Sequence, residues 1–266
     1  MEKEERLQAL LGGYGSVAVA YSGGVDSTYL ADVAHEVLGE RARALIADSP
    51  SVPRSELAGA AALARARGWR LDILPTAEFE NEDYLRNDAQ RCYHCRIELF
   101  TRMRAYARQR GIAVLAYGSN ADDARDPSRV GAVAARELGV AAPLEEVGLS
   151  KEEIRQLSAR RGLPTAGKAS FACLSTRIPT GQRLDVADLS RVEAAEEALK
   201  RLGIHQYRAR HHGDLCRIEV GADDFPRLLD AALREEVVAA VHAAGYRHVT
   251  LDLAGYGAGS RGAPPG

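Results

Sequence analysis

The amino-acid sequence predicts an α/β protein in which a parallel β-sheet carries helices on both faces and is followed by a small α+β domain. Three observations support this fold class. Short apolar runs alternate with stretches of helical periodicity in the first part of the chain, glycine turns follow two of these runs, and the pattern changes beyond residue 183. A chain of 266 residues is long enough for one large domain or two modest ones.

The first part of the chain is predicted to consist of strand–helix units. A short amphipathic helix over 5–11 precedes the strand Val17 to Tyr21, whose unbroken apolar and aromatic residues are typical of a parallel strand buried on both faces. Further strands are predicted at 43–47, 70–74 and 112–117, and helices at 27–39, 54–67, 79–87 and from Cys95 to Gly111.

The later part of the chain changes character. Ser150 to Glu153 forms a capping box, which predicts a helix from Lys151 to about Arg161. Residues 163–183 show little periodicity, and a loop of this length is usually functional. Beyond it we predict a helix at 185–202, a strand at 207–220, a helix at 223–244 and a strand at 247–253. The predicted organisation is therefore a first domain over 1–180, a small domain over 181–255 and a flexible tail over 256–266.

Three polar loops follow predicted strands. They are Ser22–Ser27 after the first strand, Asp48-Ser49 after the second and Gly118-Ser119-Asn120 after the fourth. Ligands of such sheets bind beyond the carboxyl ends of the strands, so we expect these loops to share one binding edge.

Composition limits the classes of function. The formal net charge of −2 argues against nucleic acid as a partner. The sequence contains no apolar run of 18 residues, which argues against a membrane span, and its charged start does not resemble a signal peptide. We therefore expect a cytoplasmic protein, in which four cysteines are better explained as metal ligands or catalysts than as disulfides.

The segment Ser22-Gly23-Gly24-Val25-Asp26-Ser27 carries the strongest chemical signal. Glycine amides at a helix N-terminus favour an anion, most simply phosphate, although an ordinary glycine turn is the structural alternative. The segment resembles the SGGxDS PP-loop of ATP pyrophosphatases, whose fold is the adenine nucleotide alpha hydrolase type. These enzymes cleave ATP between the α and β phosphates and leave AMP on a substrate.

This resemblance makes ATP the expected nucleotide. Its predicted binding residues are the PP-loop together with the other two edge loops: Ser22, Gly23, Gly24, Val25, Asp26, Ser27, Asp48, Ser49, Gly118 and Asn120. Asp26 within a phosphate loop implies Mg²⁺, unless its carboxylate only caps its own helix. Asp122, Asp123 and Asp126 form an acidic cluster that either holds metal or ribose or is simply solvated.

Cysteine spacing suggests a second kind of site. Cys92 and Cys95 form a C-x-x-C motif, which alone fits a redox pair, a zinc site or chance. Cys173 is a third candidate, and three thiolates suit a [4Fe–4S] cluster with one open iron. Cys216 alternates with apolar residues along a strand, so we expect a buried, inert thiol there.

Three motifs occur together in this order: the PP-loop, Arg91-Cys92-Tyr93-His94-Cys95, and Ala172-Cys173-Leu174-Ser175-Thr176-Arg177-Ile178-Pro179. They resemble the LarE family, ATP-dependent sulfur transferases of lactate racemase maturation, and the resemblance runs from Val17 to about Ser260. It implies that ATP adenylates a carboxylate of pyridinium-3,5-biscarboxylic acid mononucleotide. A sulfur then displaces AMP and leaves a thiocarboxylate for the nickel-pincer cofactor.

The resemblance also implies how sulfur is supplied. Some members sacrifice the cysteine that matches Cys173, whereas others hold a [4Fe–4S] cluster on three cysteines, as this chain could with Cys92, Cys95 and Cys173. With all three cysteines present, the chain resembles the cluster type, and sacrifice of Cys173 is the alternative. The residues expected at the nucleotide substrate and beside the reactive cysteine are Arg177, Arg208, Arg210 and Glu197.

Two positions depart from the family pattern, Thr180 and Gly257, and they put substrate contacts in doubt. Two other functions stay possible: a PP-loop tRNA thiolase, and an ATP-binding iron–sulfur or zinc protein without catalysis. The family often forms larger rings, so a homo-oligomer is possible.

Overall fold

The structure is a computed structural model that describes residues 2–125, 131–169 and 172–256. Its chain divides into two compact units, one formed by Met1–Asn81 with Gln90–Phe171 and the other by Glu82–Ala89 with Ala172–Gly266. The sequence predicted a boundary near residue 180. In the structure the second unit begins at Ala172 and also takes an earlier segment of the chain.

The first unit is a four-stranded parallel sheet with helices on both faces, which confirms the predicted fold class. Its strands are β1 (Val17–Ala20), β2 (Ala42–Asp48), β3 (Leu71–Pro75) and β4 (Val114–Tyr117), in the order β3-β2-β1-β4. Its helices are α1 (Glu2–Gly13), α2 (Val25–Leu38), α3 (Arg54–Ala66), α5 (Arg91–Gln109), α6 (Gly131–Glu137), α7 (Pro143–Glu146) and α8 (Lys151–Arg160).

Alternation along β1 places apolar side chains on both faces of this sheet. Val17 and Val19 join one core cluster with residues of α1, α2 and α8, whereas Ala18 joins another with Phe100 and Met103 of α5. Ala20 pairs with Leu45 of β2 and with Tyr117 of β4 in parallel register, so the loops that follow these strands leave the same edge.

The second unit contains α4 (Glu82–Leu85), α9 (Val186–Arg201), β5 (Tyr207–His212), β6 (Leu215–Val220), α10 (Ala231–Ala243) and β7 (His248–Leu251). β5 pairs with β6 antiparallel and β6 with β7 parallel. Helices α9 and α10 cover the sheet through a core that includes Leu199, Ile218 and Val241. Buried Asn87 ties the early segment to this unit, because its Nδ2 donates to the carbonyls of Pro179 at 2.8 Å and Gln182 at 3.1 Å.

Two predicted elements of this unit were wrong in extent. The strand predicted at 207–220 is a hairpin, because Gly213 adopts a φ of +64° that turns the chain between β5 and β6. The helix predicted at 223–244 begins only at Ala231, since Asp230 caps it by accepting the N–H of Leu233. A 3₁₀ turn over Pro226–Leu229 takes the place of its first part.

Two further predictions differ from the structure at helix ends. The first helix spans Glu2–Gly13 instead of 5–11, and the helix predicted at 79–87 is a 3₁₀ turn at Glu78–Glu80 followed by α4. Asp126, Gly257 and all of the predicted tail but Tyr256 lie outside the described residues. Within the described part of the chain, every helix is too short or too polar to cross a bilayer.

Candidate functional site

The PP-loop is held in shape by its own serines. The Ser22 N–H donates to Ser27 Oγ at 3.1 Å, and the two hydroxyls lie 3.0 Å apart. Gly24 is the N-cap residue of α2, and its carbonyl accepts the Thr28 N–H at 2.9 Å. The first N–H groups of a helix have no partner within the helix, so the loop presents amides where a phosphate could bind.

Two glycines allow neighbouring segments to contact this loop. Gly23 has a φ of +70°, and a Cβ there would lie 2.8 Å from the Cβ of Ala60 in α3. A Cβ on Gly118 would lie 2.8 Å from the backbone nitrogen of Ser27. Real Cβ atoms do not approach so closely, so both positions need glycine. The structure therefore brings the predicted loop after β4 directly against the PP-loop.

Asp26 lies in the first turn of α2 with its side chain 16% exposed. Its Oδ2 accepts from Lys151 Nζ at 2.6 Å, whereas its buried Oδ1 has no hydrogen-bond partner among the described residues. A carboxylate oxygen without a partner, beside a phosphate-binding loop, fits the hard oxygen ligands that Mg²⁺ prefers. Asp26 could therefore hold the expected magnesium ion.

Lysines 151 and 168 are functional candidates that the sequence reasoning missed. Lys168 Nζ donates to the carbonyl of Gly23 at 3.0 Å and to Glu56 at 2.5 Å, so a second ammonium group lies at the loop. A signal was present in the composition: of 35 basic residues only four are lysine, at positions 3, 151, 168 and 200.

The side chains of the loop after β2 form hydrogen bonds and an ion pair with nearby residues. Ser49 is buried, and its hydroxyl donates to the buried carboxylate of Glu78 and lies 2.8 Å from Ser51 Oγ. Asp48 is about half exposed and forms an ion pair with Arg54. The side chain of Ser49 thus shapes this loop, and Asp48 is the accessible polar group.

Asn120 has a similar part in the loop after β4. It is buried, and its Oδ1 accepts the N–H groups of Asp122 at 2.9 Å and Asp123 at 3.1 Å. Asp122 in turn accepts the N–H of Lys151 at 2.8 Å. This part of the acidic cluster therefore joins the loop to the start of α8.

The C-x-x-C motif lies in the first turn of α5. Cys92 is exposed and Cys95 half-buried, and their i, i+3 spacing puts both sulfurs on one side of the helix. Cys173, half-exposed, belongs to the second unit. In the described part of the chain, three or more Cys, His, Asp or Glu side chains do not gather into a group that could hold a metal ion. Within each unit, the described thiols alone therefore do not form the three-cysteine site.

Cys173 precedes a 3₁₀ turn, Leu174–Arg177, that a buried arginine holds in place. Arg177 Nη1 donates to the carbonyl of Ala172 at 2.9 Å. The same guanidinium meets the carboxylate of Glu196 through two hydrogen bonds of 2.7 and 3.1 Å. Glu196 is the buried acid of α9 that sequence reasoning missed, whereas the predicted Glu197 is half-exposed beside it.

A second buried arginine holds the other end of this turn. Arg210 Nη1 donates to the carbonyl of Thr176 at 2.7 Å, and its Nε and Nη2 meet Glu219 at 2.9 and 3.1 Å. Arg208 differs, because its guanidinium lies 4.5 Å from the ring centre of Tyr256. Of the predicted substrate arginines, two therefore contact carboxylates and backbone around Cys173, and the third stacks on an aromatic ring.

Cys216 is fully buried, as predicted from its position in the strand. Burial raises the pKa of its thiol to about 12. It is therefore a protonated core residue at neutral pH.

No family model matches the chain. Comparison with curated proteins finds relatives along nearly its whole length. An uncharacterized protein of Synechocystis sp. is 40% identical over 97% of this chain and 96% of its own. An uncharacterized protein of Methanocaldococcus jannaschii is 23% identical over 89% of both chains.

A relative that is named for its activity comes from Lactiplantibacillus plantarum. It is a pyridinium-3,5-bisthiocarboxylic acid mononucleotide synthase, and it is 30% identical over 97% of this chain and 92% of its own. Because the alignment covers nearly the full length of both proteins, the similarity is not confined to one motif. With the PP-loop and cysteine motifs in place, the chain belongs to the LarE family.

Proposed function

We propose that this protein is an ATP-dependent sulfur transferase of nickel-pincer cofactor biosynthesis. Its substrate would be pyridinium-3,5-biscarboxylic acid mononucleotide, of which one carboxylate is adenylated and then converted to a thiocarboxylate. The observation that carries this proposal is the alignment of 97% of the chain with the Lactiplantibacillus plantarum synthase. The PP-loop geometry adds independent support for the nucleotide.

Activation would occur at the carboxyl edge of the parallel sheet. A substrate carboxylate oxygen attacks the α-phosphorus of ATP, and pyrophosphate leaves. The amides of Gly23, Gly24 and Val25 would bind its charge, with Ser22 and Ser27 maintaining the loop. A magnesium ion on Asp26 would supply further charge neutralisation for the leaving group. Asp48, Ser49, Gly118 and Asn120 would line the rest of the nucleotide site.

Substrate binding would involve the arginines of the second unit. Arg208, whose guanidinium stacks on the ring of Tyr256, is a candidate for the phosphate of the mononucleotide, because a guanidinium can bind a phosphate through two parallel hydrogen bonds. Arg177 and Arg210 already form ion pairs with Glu196 and Glu219. They would bind the same substrate only if each guanidinium contacted its carboxylate and the substrate together. Glu197, or its buried neighbour Glu196, would then be the acid nearest the Cys173 turn.

The sulfur donor has two alternatives. The preferred one is a [4Fe–4S] cluster on Cys92, Cys95 and Cys173 that carries the sulfur, and the other is sacrifice of Cys173 itself. Anaerobically purified protein should then show broad brown absorbance, which Cys92→Ala, Cys95→Ala or Cys173→Ala abolishes and Cys216→Ala retains. A colourless protein whose Cys173 loses the mass of hydrogen sulfide on turnover would establish the second alternative.

The proposed activity is tested by AMP and pyrophosphate release. Purified protein with Mg²⁺ and ATP should release both products only when the biscarboxylate mononucleotide is present. Asp26→Asn should lower the rate by about a hundredfold or more, since it removes a charge at the reacting phosphates. Asp223→Asn, on an exposed loop, is the matched control. Binding of ATP without cleavage in the presence of this substrate would instead support the non-catalytic alternative.

A further inference from the structure

Asp26 and Lys151 form an ion pair inside the proposed phosphate site. The carboxylate is largely buried, its Oδ2 is 2.6 Å from Lys151 Nζ, and its Oδ1 has no partner in the described part of the chain. A buried charge without a counter-ion is costly, and the ammonium group of Lys151 compensates the charge of Asp26. The second, unpartnered oxygen shows that this compensation is incomplete.

The backbone of Lys151 is fixed, whereas its side chain is long. Lys151 is the first residue of α8, where Ser150 and Glu153 form a complete capping box. Its own N–H donates to Asp122 of the loop after β4 at 2.8 Å. Four flexible carbon–carbon bonds then separate this fixed point from the ammonium group, and the side chain as a whole is one-third exposed. The charge can therefore move while the helix stays in place.

The identity of this residue is a further observation. Arginine supplies all but four of the 35 basic residues, yet two lysines, Lys151 and Lys168, contact the PP-loop. Arginine would bind Asp26 through a planar, two-pronged pair that is difficult to replace. Lysine offers a point charge that exchanges partners more easily. Lys168, by contrast, is held by Gly23 and Glu56.

We propose that Lys151 is an exchangeable counter-ion of Asp26. Before nucleotide binds, its ammonium competes with a divalent cation for the carboxylate, and when metal and nucleotide bind together it transfers to the phosphates. Metal and nucleotide would therefore bind cooperatively. Metal on Asp26 releases the ammonium for the phosphates, and phosphates that bind the ammonium release the carboxylate for the metal. The inference rests on the proposed function, since ATP supplies the second partner of Lys151.

The test compares wild type with Lys151→Gln, Lys151→Arg and, as a matched loss of charge on an exposed helix face, Lys200→Gln. Mn²⁺ alone, followed by electron paramagnetic resonance without nucleotide, should bind Lys151→Gln about tenfold more tightly than wild type, a typical coupling between sites. Lys151→Arg should bind it more weakly, and Lys200→Gln equally. Asp26→Asn should remove this site in every background, and circular dichroism verifies that each variant is folded.

The second measurement uses α,β-methylene ATP in EDTA. Lys151→Gln should bind this analogue about tenfold more weakly than wild type, because the phosphates lose their cation. Unchanged or weaker Mn²⁺ binding by Lys151→Gln, or unchanged binding of the analogue, overturns the proposal. If wild type binds no analogue in any condition, the proposed ATP-dependent function fails, and the Mn²⁺ titration still decides whether Lys151 competes for Asp26.

Discussion

Glu219 is a buried carboxylate of the arginine network around the Cys173 turn. It is fully buried, accepts two hydrogen bonds from Arg210 and lies 3.4 Å from Arg217. Glu219→Ala would remove the buried carboxylate that accepts two hydrogen bonds from the guanidinium of Arg210. We expect a loss of about 3–5 kcal/mol in the free energy of unfolding, the usual effect of breaking a buried pair from one side. Urea unfolding measures it.

The control for this prediction is Glu236→Ala on the exposed side of α10, which removes the same charge from solvent. It should leave the free energy of unfolding nearly unchanged. Equal losses in both variants would mean that the network contributes nothing specific.

At the scale of residues, the sequence predicted which residues belong to the site better than it predicted which side chains contact each other. The PP-loop residues could be predicted because they are contiguous and their chemistry is local. The contact between Asp26 and Lys151 could not, since 125 positions separate them and only the packing of α8 brings them together. Glu196 and Glu197 are adjacent on α9, and which one is buried depends on the rotation of that helix against β5.

Among the elements, the loop after β4 lies directly against the backbone of the PP-loop. A Cβ on Gly118 would meet the backbone nitrogen of Ser27 at 2.8 Å, and backbone cannot move aside as a flexible side chain can. Gly118→Ala should therefore distort the phosphate loop and weaken ATP binding by at least about tenfold, the effect of roughly 1.4 kcal/mol. Isothermal titration calorimetry measures it. Gly59→Ala in α3, where a Cβ meets nothing within 4 Å, should bind ATP normally.

The start of helix α8 makes a pH-dependent contribution to the free energy of unfolding. Hydrogen bonds from Lys3 and from the Ser150 N–H lower the pKa of Glu153 to about 2, from an ordinary 4.5. Because the folded-state pKa is depressed, this stabilisation is present above pH 4.5 and is lost as the pH falls toward 2. The side chain is 38% exposed, so solvent screening keeps the effect below about 1 kcal/mol.

Glu153→Gln should accordingly destabilise the protein at pH 6 and show a shallower loss of stability between pH 4.5 and 2 than wild type. Urea unfolding at a series of pH values measures both slopes. Exposed Glu152→Gln is the control and should follow wild type, whereas parallel curves for Glu153→Gln and wild type would contradict the assignment.

Elements with local signals were predicted well. The capping box places α8 as predicted, because Ser150 and Glu153 satisfy each other's backbone within one turn. The hairpin β5–β6 was missed although Gly213 marks it, since apolar alternation continues on both sides of the turn. A period of two residues does not by itself show where a strand reverses.

For the whole molecule, the common edge of three loops followed from the parallel sheet, since parallel strands bring their carboxyl ends together. The division into units could not be derived in the same way. Glu82–Ala89 belongs with the chain after Ala172, and Asn87 makes that connection through hydrogen bonds to residues more than 90 positions later. A boundary drawn along the sequence cannot show such a discontinuous unit, which is why Cys173 was assigned to the first domain.

Net charge separates the small-molecule proposal from a tRNA thiolase at this scale. Binding to RNA is driven largely by phosphate neutralisation, and a chain with a formal net charge of −2 has little long-range attraction for it. We expect no retention of unfractionated tRNA by micromolar protein in filter binding at physiological salt. AMP release should likewise respond to the biscarboxylate mononucleotide and not to tRNA.

A protein with a patch of lysines and arginines that binds the same tRNA serves as the positive control. Tight binding that weakens steeply with added salt, together with tRNA-dependent AMP release, would favour the thiolase, because phosphate contacts release counter-ions and a small substrate makes few of them.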